Sequence, residues 1–209
     1  MEGSVLLSTA YFPPGEYFSL MVNADEIYIE TWENYHKQTF RNRCTILGAN
    51  GRLDLIVPVL RGSFHKTSIR DLLIDNDRKW RELHLRSITS AYSSAPYFEY
   101  FFDPIKDVIS CQHKFLLDLN MSALHAINNS LGLDKVIKMT EEFTPEGENA
   151  NDFRYYISPK NQRSVNGYSA RPYTQVFSDR YGFVEGLSII DLLFNNGPGT
   201  KALLQKSLA

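Results

Sequence analysis

Val5-Leu6-Leu7-Ser8-Thr9-Ala10-Tyr11-Phe12-Pro13-Pro14-Gly15-Glu16-Tyr17-Phe18-Ser19-Leu20-Met21-Val22-Asn23-Ala24-Asp25-Glu26-Ile27-Tyr28-Ile29-Glu30 is the stretch that decides the fold class. Val5 to Tyr11 is short, apolar and closed by Pro13-Pro14-Gly15, which predicts a buried strand running into a tight loop. Tyr17, Leu20, Met21 and Ala24 stand at the i, i+3, i+4, i+7 spacing of an amphipathic helix. Glu26 to Glu30 then alternates polar and apolar as a strand does. A strand, a helix and a strand in so short a span is the βαβ unit of a parallel sheet. The expected class is α/β, a Rossmann-like and mostly parallel sheet.

Working outward, Cys44-Thr45-Ile46-Leu47 and Leu53-Asp54-Leu55-Ile56-Val57 flank Asn50-Gly51, whose tolerance of positive φ predicts a hairpin. Pro58 confines the second strand to an edge or an end. Asp75-Asn76-Asp77 offers N-caps for a helix with Trp80, Leu83, His84, Ser87, Ile88, Ala91 and Tyr92 on one face, stopped by Ala95-Pro96. A second helix is expected from about Lys114 to Leu131, with Gly132 at C′. Glu141 to Arg171 loses periodicity and reads as a long loop, either a solvated insertion or a functional segment. Tyr173 to Phe177 is expected as a short strand, and Ser188 to Asn195 as a helix ended by Gly197-Pro198. The chain is therefore read as one domain over 1–209: βαβ plus hairpin (1–75), a helical section (76–140), a long loop (141–171), and a C-terminal strand with helices (172–209).

Among 209 residues, 22 Lys and Arg oppose 24 Asp and Glu, and a net charge of −2 excludes a uniformly basic nucleic-acid surface. Two distant cysteines, Cys44 and Cys111, exclude a disulfide scaffold and a thiolate zinc site. The N-terminus lacks the features of a signal peptide, and no apolar run approaches the roughly 20 residues of a membrane span. The expected location is the cytoplasm, with no membrane insertion and with an oligomer left open.

Charge is segregated locally. From His36 to Arg70, Lys37, Arg41, Arg43, Arg52, Arg61, Lys66 and Arg70 face only Asp54. Such a cluster can focus a field on phosphate or carboxylate, or can simply solvate the outer face of a hairpin. Tyr35, Gln38 and Asn42 add neutral hydrogen-bonding groups beside it. The loop after the first strand stands where parallel sheets bind ligands, but Pro13 and Pro14 remove two amide donors and Glu16 repels anions. A sugar or amide stacked on Tyr11, Phe12 or Tyr17 suits that loop better than phosphate. Neither GxGxxG nor GxxxxGKS occurs. Ser188-Ile189-Ile190-Asp191 reads first as a capping box and second as a way of turning Asp191 toward a ligand. Of the five histidines, His36, His65, His84, His113 and His125, none has metal-ligand spacing. His84 is the general-base candidate, set against a role as a hydrogen-bonded core residue beside Trp80 and Tyr92. No metal or cofactor is expected.

At these residues the chain resembles the WbqC-like proteins, a family associated with bacterial polysaccharide and O-antigen biosynthesis. Tyr11-Phe12-Pro13-Pro14-Gly15-Glu16-Tyr17-Phe18 resembles the family's opening. Ala24-Asp25 with Asn34-Tyr35-x-Lys37-x-x-Phe40-x-Asn42-Arg43 resembles its central signature. Trp80, His84, Tyr92 and Ala95-Pro96-Tyr97-Phe98 resemble its helical section, and Tyr173-x-Gln175 with Leu187 to Asn195 its C-terminal block. Ser8-Thr9 depart from the Gln-Pro that stands there in many relatives, and Thr31-Trp32-Glu33-Asn34 replace acidic and Gln residues. The resemblance implies a transferase of an acyl or aminoacyl group to a sugar or nucleotide-sugar, with a non-catalytic glycan-precursor binding or scaffolding module as the alternative. The ligand is expected to be small, anionic and carbohydrate-bearing. Its expected contacts are Tyr11, Tyr17, Tyr35, Lys37, Asn42, Arg43, Tyr173, Gln175 and Asp191, with His84 catalytic. A nucleotidylyltransferase-like domain ranks last, because its HxGH histidines are missing.

Overall fold

The structure, a computed structural model, describes residues 3–60, 67–146, 151–159 and 165–208. Strand β1 (Ser4–Ser8), helix α1 (Gly15–Asn23) and strand β2 (Glu26–Glu30) form the expected βαβ unit. The strands pair in parallel from Ser4↔Glu26 to Ser8↔Glu30. Val5, Leu7, Ile27 and Ile29 are fully buried, as are Phe18, Leu20 and Met21 of α1. The helix is apolar over more than one stripe because the C-terminal helices cover its other side.

Strands β3 (Arg43–Gly48) and β4 (Gly51–Ile56) form the hairpin as a separate antiparallel ribbon. Its loop is Ala49-Asn50, and only Gly51, at φ +102°, takes a positive φ. The turn thus differs from the expected Asn-Gly pair: one glycine absorbs the left-handed step that closes it. Helix α2 (Trp80–Tyr92) begins after the expected caps, and Lys79 at its N-cap makes no side-chain bond. Asp75 instead pairs with Arg78, and Asn76 Oδ1 accepts from Arg81.

Helix α3 (Phe98–Ser110) goes beyond the sequence expectations and carries Pro104 inside it. Its Phe98, Phe101, Phe102, Ile105, Val108 and Ile109 do follow a helical stripe. Pro104 is tolerated because it lies on the exposed face, where water can reach the carbonyl of exposed Tyr100. Helix α4 (Leu116–Ser130) ends as expected. Gly132 at φ +55° donates to the Asn129 carbonyl and Leu133 to that of Asn128, the paired bonds of a Schellman motif.

Strand β5 (Ile137–Met139) pairs in parallel with β2 and gives the sheet order β1-β2-β5. An isolated parallel bridge, Leu6↔Asp152, extends the outer side of β1. The expected strand at Tyr173–Phe177 does not form; a short helix α5 (Ser178–Tyr181) follows an irregular run. The carbonyls of Gln175 and Phe177 accept from amides of that helix instead of from a ladder. Helix α6 (Ile189–Asn196) is N-capped by Ser188 Oγ, and α7 (Thr200–Lys206) closes the chain over α1. One apolar cluster joins the sheet, the hairpin and the helices. The fold is mixed α/β: a parallel three-stranded sheet, an attached hairpin and a mainly helical second half. Among the described residues, no helix is long and apolar enough to cross a membrane.

Candidate functional site

In a parallel α/β sheet, ligands sit beyond the carboxyl ends of the strands. At the end of β1 the aromatic residues of the loop are spent on packing, and only Pro14 and Glu16 border a cleft of about 520 Å³ shared with Arg52 and Asp54 of the hairpin. Tyr11, Phe12 and Tyr17 are at most 2% exposed, so none presents a ring face to a ligand. The Tyr17 hydroxyl donates to the Ser8 carbonyl, and the Phe12 and Pro13 carbonyls accept from Ser188 Oγ and the Ile189 amide.

At the end of β2 the arrangement is different. Glu30, Thr31 and Glu33 are buried while Trp32 between them is 44% exposed. Glu30 accepts from the Trp32 amide at 2.7 Å, from Thr140 Oγ1 at 3.0 Å and from Arg154 Nη1 at 3.0 Å. Arg154 also grips Asp152 through Nε and Nη2, and all three side chains are 6% exposed or less. Glu33 is held bidentately by Arg41, with Nε at 2.8 Å, and this pair is buried as well. Buried charges with complete pairing fix geometry firmly, because any loosening exposes an uncompensated ion to low dielectric.

Above this base opens a cleft of about 470 Å³ lined by Trp32, Glu33, Asn34, Tyr35, His36, Phe143 and Tyr155. The indole Nε1 of Trp32 is pinned by the Thr140 carbonyl at 2.9 Å. The Arg154 guanidinium lies 5.6 Å from both the Phe143 and Tyr155 ring centroids, so one buried cation backs two walls. The His36 and Tyr155 rings meet edge to face at 5.9 Å. Burial, followed by the nearby Arg41 charge, lowers the His36 pKa from its usual value, so the imidazole is neutral near pH 7. The Tyr35 and Tyr155 phenols are pushed up, chiefly by burial, and stay protonated.

Of the residues singled out in the sequence, Tyr35 lines this cleft and exposed Lys37 lies two residues on. Asn42 donates to the Val57 carbonyl at 2.9 Å, and Arg43 pairs with Asp54 on the hairpin. A second group forms around Asp191, which is fully buried. It accepts from Tyr173 at 2.7 Å, Tyr92 at 2.9 Å and Gln175 at 3.1 Å. The Gln175 amide also exchanges bonds with both backbone groups of Val184, so its side chain does the work of a strand neighbour. Asp191 therefore does not reach back to the Ser188 amide as a capping box requires; that amide bonds Thr45 instead.

His84 makes a third group. It is 1% exposed, with Nδ1 at 3.0 Å from the Tyr11 hydroxyl, a bond to the Ile56 carbonyl, and Trp80 against its ring. Burial pulls its pKa down to about 4, so it is a neutral histidine of the core. His65, Arg61 and Lys66 lie outside the described residues, as do 147–150 and 160–164 of the long loop. Among the described residues, no group of His, Cys, Asp and Glu could hold a metal ion.

Trp32, His36, Phe143 and Tyr155 were not among the residues singled out. Applying the strand-end rule to β2 as well as to β1 finds Trp32 and His36. Phe143 and Tyr155 carry no such signal, because they arrive from segments more than 100 residues away.

The family model described as the WbqC-like protein family matches residues 9–174. A protein described as "Uncharacterized protein Rv1507c", from Mycobacterium tuberculosis, is 30% identical over 94% of this chain and 95% of its own length. No solved structure matches the chain.

Proposed function

From the premise that the chain belongs to the WbqC-like protein family, we propose that the cleft at the end of β2 binds the sugar of a glycan precursor or nucleotide-sugar used in surface-polysaccharide biosynthesis. The polysaccharide setting comes from the family resemblance. The observation that carries the binding reading is the ring set: Trp32, Tyr35, His36, Phe143 and Tyr155 converge from three segments on one opening. Aromatic faces suit the CH-rich faces of a pyranose, while phenol and amide groups supply oriented polar contacts. Its volume lies within the usual range for small-molecule sites.

Transfer of an acyl or aminoacyl group is a second reading, and His36 favours it. A neutral imidazole at the cleft wall can take the proton as a sugar hydroxyl or amine attacks an activated acyl carbon, and the leaving group departs from that carbon. The buried His84 would serve this step only if the core around Tyr11 opened.

The test is a thermal-shift and calorimetric titration with glycan precursors, nucleotide-sugars, acyl-CoA and amino acids. A ligand at 100 times its Kd adds about 2.7 kcal/mol to stability. Stabilisation by a sugar ligand that disappears in Trp32→Ala supports the cleft. Stabilisation by donor and acceptor together, with turnover lost in His36→Gln, supports transfer; stabilisation by glycan alone supports the binding module. Absence of any Trp32-dependent sugar effect would reject the proposal.

A further inference from the structure

Among the described residues, the cations between His36 and Arg70 do not share one environment. Arg41 pairs with Glu33 and Arg43 with Asp54, while Arg52 donates to the Glu185 carbonyl. Arg70 differs. No carboxylate among the described residues pairs with it, and its guanidinium lies over the Trp32 ring, 4.2 Å from the centroid. The backbone places it there firmly. Asn34 and Ser68 form an antiparallel bridge, the Tyr35 amide donates to Thr67, and the Ile69 amide donates to Glu33. Residues Ile69–Asp71 then make a 3₁₀ turn in which Ser68 Oγ accepts from the Arg70 amide.

A guanidinium resting on an aromatic ring uses its face and keeps its N–H fork in the plane, directed outward. The buried ions beneath the cleft are already paired: Glu33 with Arg41, and Arg154 with Glu30 and Asp152. Among the described residues, Arg70 is thus a cation with no carboxylate partner, set against the wall formed by Trp32. We propose that Arg70 reads an oxyanion, a phosphate or carboxylate, carried by a sugar whose ring lies in the Trp32–Tyr155 cleft. This rests on the cleft reading above and adds what that reading leaves open: how charge on the ligand is selected.

The experiment is a titration, by calorimetry and saturation-transfer NMR at low and moderate salt, with N-acetylglucosamine, its 1-phosphate, glucuronate and inorganic phosphate. Wild type, Arg70→Gln, Arg70→Lys and Trp32→Ala are compared. A charge-assisted bond predicts binding of a charged sugar at least about tenfold tighter than the neutral one, with salt eroding the preference. Arg70→Gln should bring the ratio near one while leaving neutral-sugar affinity in place, and Arg70→Lys should restore part of it. The preferred charged sugar identifies phosphate or carboxylate as the source.

If sugars bind in a Trp32-dependent way but Arg70→Gln leaves the ratio unchanged, the Arg70 assignment is overturned and the cleft stands. If inorganic phosphate binds as tightly as the sugar phosphate and needs Arg70, the anion site stands and the sugar cleft falls. If none of the probes binds, both fail.

Discussion

Replacing Arg154 with Met should leave Glu30 as a buried carboxylate without its cation, while preserving most of the side-chain volume. Removing one partner of a buried pair costs about 3–5 kcal/mol. The local geometry points to the lower part of that range. Glu30 keeps donors from the Trp32 amide and Thr140 Oγ1, and Asp152 keeps the amide of residue 154. A loss of about 3 kcal/mol corresponds to about 6–12 °C in Tm for a chain of this size. Urea unfolding at pH 7, followed by circular dichroism, reads it directly.

Glu30→Gln added to Arg154→Met should recover part of the deficit, because the buried charge is then absent. A variant within 1 kcal/mol of wild type would refute the account of the cleft's base.

His84 predicts an acid transition. Its folded pKa of about 4 lies below the unfolded value of about 6.5. It contributes stability above pH 6.5 that is lost as pH falls toward 4, up to about 3 kcal/mol. Stability measured across that window should flatten in His84→Gln. Gly197 stands at φ +50°, and a Cβ there would lie 2.5 Å from the Tyr97 ring. Gly197→Ala should therefore lose about 2 kcal/mol or more in urea unfolding, whereas Gly186→Ala, at φ +64° in open space, should lose only about 1 kcal/mol. Tyr92→Phe removes a donor to Asp191 and an acceptor for the Leu47 amide. It should cost about 2–3 kcal/mol by thermal unfolding, and an unchanged Tm would disprove the network's structural role.

The βαβ opening was legible because its signals are local. The strand Val5–Leu7, the spacing of Tyr17, Leu20 and Met21, and the alternation of Glu26 to Glu30 each declare themselves within a few residues. Gly132 and Ser188 were legible for the same reason, since a cap is a contact across one turn. Helix α3 carried its apolar stripe openly but was hidden by Pro104, which an exposed helix face accommodates. The run Tyr173–Phe177 was expected as a strand, but buried Gln175 and half-buried Tyr173 are held by Asp191 and not by a sheet. Likewise the basic segment was open to either an anion-focusing or a merely solvated reading; among the described residues Arg41 and Arg43 are held in ion pairs, while Arg70 lies over Trp32.

Periodicity, turn residues and end caps thus set the class of fold, the parallel pairing of the first two strands and the place of the hairpin, because those interactions span one or two turns of chain. Tertiary structure alone decided where the cleft opens. The cleft exists because Trp32, Phe143 and Tyr155, distant in the chain, meet over an Arg154–Glu30–Asp152 cluster. It alone decided which charges are spent and which remain, since pairing depends on distance in space and burial, which neighbours in sequence do not reveal.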